Sequence, residues 1–404
     1  MTAAVTVPTE PDLGRMQHDR LTRLRHAMDQ HGVDTLVLLG NSNVSYATGA
    51  SWPLADPGRA NVERPVAVVT AGDGPPHLFT PFPELAAADL GLPEDHVHGP
   101  AYPEIDEGAR ALGRMLAELV PAGGKVAVDE LPGPMRRAGE LLFPGGPPTS
   151  ADDVVGAAKL VKTPDELGFL RTALRITEEA MAPVQVDLAP GVRQVDLTAR
   201  FLRAVFEQGA EANILDPIFQ VMPTRLAEGP WTTHGDIACP LVTTEQELAE
   251  GDVIWVDTGI SYAGFSSDFG RTWLVGADPT PRQQAQFRTW KDILDAVLAV
   301  TRAGATGADL TRAALAAAGG RKPWMEHFYL GHGLGVDSAE SPFVGTDLGD
   351  AYDERQVLAA GTVLVLEPLV WDDGASGYRA EEVVAITDDG WISLTDYPYD
   401  PYGD

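Results

Sequence analysis

Residues 250–273 read EGDVIWVDTGISYAGFSSDFGRTW, and the organisation of the chain is best read outward from them. The apolar run Val253-Ile-Trp-Val256 ends on Asp257, and Asp268 follows after a Gly- and Ser-rich connection. A hairpin centred between Tyr262 and Ala263 sets 257 and 268 directly opposite each other. Opposed residues share a face, with Cβ atoms ~4.5–5.5 Å apart. Two like charges in that relation are destabilising unless something cationic sits between them.

The same device recurs downstream. Glu367 ends Val363-Leu-Val-Leu366, and Glu381 opens the next apolar run after Pro368-LVWDDGASGYR-Ala380. A hairpin centred on Gly374 places 367 opposite 381. Between the two acid pairs lies Gly331-His332-Gly333, an imidazole flanked by glycines where backbone can approach closely. Taken singly, a strand-end Asp is a turn residue, a strand-end Glu an edge residue, and Gly-His-Gly a weak signal. Four carboxylates and one imidazole in this order suit two divalent ions sharing bridging carboxylates, four anions balancing two dications. Mn, Fe, Co and Zn all accept an oxygen-rich set with one imidazole.

Upstream, Thr163-Pro-Asp-Glu166 is a helix start, with a capping Thr, Pro at the first helical position and Glu three after the cap. Phe169, Leu170, Ala173, Leu174 and Ile176 continue it as one apolar face, and a second helix runs toward Gly209. The first 150 residues alternate helix and strand. Leu21, Leu24 and Met28 fall at helical spacing before Gly32, and strands are expected at 35–39, 66–69 and 126–128. Leu112, Met115, Leu116 and Leu119 mark another core-facing helix. The strongest boundary signal is PGGPP at 144–148. The C-terminal segment DYPYDPYGD is either an irregular tail or a strap that packs its three tyrosines.

A chain of 404 residues is comfortable for two domains. With 29 Lys+Arg against 59 Asp+Glu, a net charge of −30 repels phosphate backbones and anionic headgroups, so nucleic acid and membrane are poor partners. A hydrophobic content of 44% with 22% charged residues is that of a globular chain. The single Cys239 excludes an internal disulfide framework and any Cys-rich zinc site. The N-terminus lacks an apolar leader and no run approaches 18 apolar residues, so a cytoplasmic soluble protein is expected.

Residues 159–395 resemble the metallopeptidase clan of methionine aminopeptidase, Xaa-Pro aminopeptidase and prolidase, with its non-peptidase relative creatinase. The resemblance runs through KLVKTPDELGFLRTALRITEEAM, EGDVIWVDTG, SSDFGRTW, GHGLGVDSAESP, LVLEPLV and YRAEEVVAITDDG. Asp257, Asp268, His332, Glu367 and Glu381 fall on the family's five metal ligands, and Arg379 on an arginine near its second glutamate. More loosely, NSNVSYATGASWPL and RPVAVV resemble the family's N-terminal domain. The resemblance implies an α+β architecture: a creatinase-like α/β N-terminal domain over 1–155, then a pita-bread catalytic domain over 156–404. It also implies a homodimer, two divalent ions and a short-peptide or other small-molecule substrate.

Two departures bear on activity. Family peptidases carry a His seven residues after the metal His, where this chain has Ala339, and another about eleven residues before the Gly-Asp of the first ligand strand, where it has Pro240. His234 and His327 are the nearby candidates to replace them as substrate-binding residues. The leading expectation is hydrolysis of an amide adjacent to proline, with Glu367 as general base and Arg379 stabilising developing negative charge. The alternative is a relative repurposed as hydrolase or lyase of a non-peptide small molecule. Against the family's sulfonium-propionate lyases, which carry an extra acid two residues after the first metal Asp, this chain has Gly259. Arg271 reads as a structural ion pair and Trp52 as a core or interface residue.

Overall fold

The computed structural model describes residues 5–50, 64–224 and 244–403. The chain divides into two compact units, one of residues 12–159 and one of residues 160–404 with the segment up to Pro11. The expected boundary after residue 155 falls inside the helix Asp152–Leu160. The PGGPP stretch is a loop within the first unit, ahead of the edge strand Thr149–Ser150.

The first unit is a six-stranded mixed sheet in the order Val97–His98, His77–Phe79, Val66–Thr70, Thr35–Leu38, Val126–Val128, Thr149–Ser150. The helix Leu13–His31 stops where Gly32 turns left-handed (φ 63°), a conformation glycine adopts without steric cost. Helix Asp106–Leu119 buries Ala109, Leu112 and Leu116 against Val37, Val66, Val68 and Val126 of the sheet.

In the second unit the Thr163 capping box forms as the sequence predicts: Thr163 Oγ1 accepts from the Glu166 amide, and the Glu166 carboxylate accepts from the Thr163 amide. Helices Pro164–Val186 and Gln194–Glu207 press Ile176, Met181, Phe201 and Val205 onto Ile254, Val256, Phe269 and Trp273. A second helix pair, Pro281–Val300 and Gly307–Ala317, buries Trp290, Ile293, Leu294 and Leu310 against Leu364, Leu366, Val384 and Ile386. The strand Val253–Tyr262 belongs to both cores, since Val253 and Trp255 join the second while Ile254 and Val256 join the first. That alternation is the two-residue period of a strand with both faces covered. Asp257 continues the face of Val253 and Trp255.

The register of this hairpin differs from the expectation. Tyr262 pairs with Phe265 and Asp257 with Gly270, so Asp257 and Asp268 are not directly opposed. The turn residues are Ala263 and Gly264, both at positive φ (50° and 74°), which is the two-residue type I′ geometry matched to strand twist. Continuing the ladder brings Asp268 level with Gly259. The two aspartates are therefore diagonal neighbours on one face, a relation that typically separates residues by about 7–8 Å. Of the two readings of the C-terminal segment, the packed one is observed. Tyr402 is buried, the Tyr399 hydroxyl donates to Glu382, and the Tyr397 hydroxyl donates to Gln185.

Candidate metal centre

The second acid pair has the register read from the sequence. Val363–Leu366 pairs with Glu382–Ile386 and Leu369–Trp371 with Gly377–Arg379, all symmetric about Gly374, which brings 367 level with 381. His332 lies opposite Val365 on the neighbouring strand, so it shares a face with Glu367 two residues on. Its flanking glycines serve strand packing: a Cβ at 331 or 333 would stand 2.4 Å from the Val365 or Ser341 carbonyl oxygen. The two acid pairs meet where the Glu381 amide donates to the Gly270 carbonyl (3.1 Å).

There the five side chains converge. Carboxylate oxygens of Asp257, Asp268 and Glu381 lie within 4.8 Å of one another. His332 Nε2 is 3.2 Å from Asp268 and 3.6 Å from Glu367. His332 Nδ1 sits 2.9 Å from the Gly333 carbonyl, which can only accept, so Nδ1 donates there and Nε2 is the ring nitrogen turned toward the carboxylates. Acceptors facing acceptors at this range need a cation or a proton between them. Arg379 supplies one cation, with contacts to Asp257 (3.1 Å), Glu367 (2.5 Å) and Glu381 (2.5 Å) and its guanidinium 4.8 Å from the Trp255 ring centre. Four carboxylates against one guanidinium leave a buried excess of negative charge. Burial, then repulsion from Asp257 and Glu367, holds the Asp268 carboxyl well above its usual range; burial, then Asp268, does the same for Glu381. Burial also raises Glu367, opposed by Arg379. Glu381 Oε2 is buried without a hydrogen-bond partner among the described residues. An imidazole nitrogen aimed at carboxylates, an unmatched carboxylate oxygen and clustered buried carboxylates are what a site for hard or borderline divalent cations requires.

The acids floor a cavity of about 190 Å³ whose remaining lining is Leu215, Ile218, Phe328, Tyr329, Ser338 and Ala339. His327 does not line it. That side chain is 87% exposed and pairs with Asp347 (2.6 Å). His234, Pro240 and Trp52 lie outside the described residues. Arg271 is structural, as read from the sequence: it is buried, paired with Glu382 (3.0 Å), and donates to the carbonyls of Glu381 and Tyr397. Tyr329 was not anticipated; its only signal is its place three residues before His332, beside Phe328. Leu215 and Ile218 were hidden because their strand, Ala212–Val221, pairs through two register shifts that disguise its alternation. At Gly259 a Cβ would meet the Ser267 carbonyl oxygen at 2.1 Å, so the position leaves no room for an additional acid.

The model of metallopeptidase family M24 matches residues 168–388, and that of the creatinase/prolidase N-terminal domain matches residues 20–141. The chain is 24% identical over 390 residues to the Xaa-Pro dipeptidase of Pyrococcus horikoshii, covering 94% of this chain and 97% of the relative. It is 28% identical over 401 residues to the probable dipeptidase PepE of Mycobacterium tuberculosis, covering 94% and 95%. Among solved structures it resembles dipeptidase PepE from Mycobacterium ulcerans (TM-score 0.74, 25% identity, 96% and 98% covered). The Xaa-Pro dipeptidase from Bacillus anthracis is similar in fold (TM-score 0.75, 22% identity, 95% and 99% covered). The architecture is thus a creatinase-type N-terminal domain followed by a pita-bread catalytic domain.

Proposed function

This chain belongs to metallopeptidase family M24, and from that premise we propose that it hydrolyses the amide bond preceding proline in short peptides. The reading is supported by relatives named Xaa-Pro dipeptidase over nearly the whole chain, and by the one observation that carries it: four carboxylates and an imidazole meeting at the floor of a cavity. In this reading Asp257, Asp268, His332, Glu367 and Glu381 hold two divalent ions, of Mn, Co, Fe or Zn. Such ions, when bound, supply Lewis acidity toward the scissile carbonyl and lower the pKa of water toward neutrality.

Glu367 takes the proton of the attacking water and passes it to the leaving amine. It sits between the strands Val363–Leu366 and Leu369–Trp371, which belong to two sheets. Arg379, held by three carboxylates and Trp255, orients Glu367 and Glu381 and offsets charge that develops at the carbonyl oxygen. The apolar wall of Leu215, Ile218 and Phe328 receives the substrate's side chains. A cytoplasmic homodimer completes the reading; it rests on the family resemblance and on a chain with a single cysteine.

The test is release of free proline from Ala-Pro and Leu-Pro by protein reconstituted with Mn²⁺ or Zn²⁺. Turnover that chelator abolishes and metal restores is expected. One observation favours a second reading, a non-peptide small-molecule hydrolase or lyase: Ala339, in place of the family's histidine, opens onto the cavity. No proline release from any Xaa-Pro dipeptide, with turnover in a panel of small amides and carboxylates, would transfer the assignment to it.

A further inference from the structure

Among the described residues, Tyr329 brings the one phenol to the cavity over the acid floor. Its ring meets His332 edge-on (centroids 5.1 Å apart, 72°), stacks on Phe328 (4.4 Å, 23°) and leans on Phe343 (5.8 Å). Three aromatic contacts fix the ring, whereas its hydroxyl has no hydrogen-bond partner among the described residues. A protonated phenol is both donor and acceptor, and carboxylates nearby favour its use as a donor. Among the described lining residues, Ala339 has no polar side-chain atom to offer, and Ser338 carries the other hydroxyl.

Resting on the peptidase reading, we infer that the Tyr329 hydroxyl donates a hydrogen bond to the carbonyl oxygen of the scissile bond. The ring contacts hold the donor without reorganisation, which is the condition under which a single hydrogen bond to a developing oxyanion is most effective. An amide carbonyl has no charge in the ground state and gains it as water adds. The bond therefore strengthens on the way to the transition state, and its loss is read in kcat more than in KM. No proton is transferred by Tyr329, so the proton balance of the reaction stays with Glu367.

The experiment compares wild type and Tyr329→Phe, both full-length and metal-loaded, on Leu-Pro. Phenylalanine keeps the ring contacts and removes only the oxygen. A fall in kcat of about 10²–10³-fold is expected, with KM changed by less than a few-fold. Metal content and thermal midpoint stay at wild-type values, because the lost hydroxyl bonds to none of the described residues. A Leu-Pro analogue with the scissile carbonyl reduced to a methylene discriminates further: it should inhibit both proteins equally, having no oxygen for Tyr329 to meet. Wild-type kcat in Tyr329→Phe, loss of metal or midpoint in step with activity, or weaker binding of the reduced analogue would each overturn the inference while leaving the peptidase reading intact. Absence of proline release by the wild-type enzyme would overturn the peptidase reading itself, and this inference with it.

Discussion

Gly270 makes the room that Glu381 occupies: a Cβ at 270 would stand 2.8 Å from the Glu381 carboxyl carbon. Gly270 is also the residue directly across the ladder from Asp257, and its carbonyl accepts from the Glu381 amide. One glycine thus lets the carboxylate of one sheet reach the acid pair of the other.

Gly270→Ala is therefore expected to displace the Glu381 carboxylate rather than the strand. Overpacking of this kind costs about 1–3 kcal/mol, and misplacing a group that orients a metal site lowers affinity about 10–100-fold. Calorimetric titration with Mn²⁺ and Zn²⁺ tests it, and wild-type affinity in the variant would refute the role given to the vacancy.

Glu381→Ala and Glu367→Gln should separate binding from turnover. The first removes a carboxylate that faces both Asp268 and Arg379, so metal stoichiometry should fall below the two ions per chain expected of wild type. The second preserves shape but cannot accept a proton, so it should retain part of the metal while kcat falls about 10²–10⁴-fold. Elemental analysis beside kinetics reads both effects. Unchanged kcat in Glu367→Gln would end its assignment as general base.

Lys162 and Glu340 form a buried ion pair at 2.5 Å, both side chains under one tenth exposed. Lys162→Met should destabilise the protein by about 3–5 kcal/mol, because the Glu340 charge is left in a dry interior. Pairing it with Glu340→Leu should recover much of that loss. Urea unfolding measures both, and a single-variant loss under about 1 kcal/mol would argue that water reaches the pair.

The N-terminal unit carries a stack of three imidazoles. His77 and His96 lie 4.0 Å apart at 7°, and His77 Nδ1 is 3.1 Å from His98 Nε2. Burial first, then the like-charged neighbours His96 and His98, lowers the His77 pKa to about 4, against a raising effect of Asp95. Unfolded chain binds this proton near 6.5, so between about 4 and 6.5 it holds more protons than folded protein. Stability from this group is thus present above pH 6.5 and lost as pH falls toward 4. A histidine NMR titration with a His77 midpoint near 6.5 would contradict the expected depression.

Much of the site was legible in the sequence because its acids end apolar strands. The 367/381 pairing followed from a connection symmetric about Gly374, whose left-handed φ of 86° seats the turn. The 257/268 pairing was misplaced by one position in the turn. Ala263 at φ 50° gives no sign of the conformation it adopts, since alanine seldom occupies it. His327 was proposed from nearness in sequence to His332, yet the chain turns at that residue (φ 60°) and sends it to solvent beside Asp347.

By itself, the sequence determined what is decided within a few residues: the capped helix at Thr163, the alternation of Val253–Val256, and the carboxylates at strand ends. Only the tertiary structure decided which of those carboxylates meet, that Arg379 binds three of them, and that Tyr329 lines the cavity. Capping, period and turn geometry are local energies, written in neighbouring residues. Convergence of Asp257, Asp268 and Glu381 depends instead on two sheets meeting across one glycine, where packing and charge act between residues far apart along the chain.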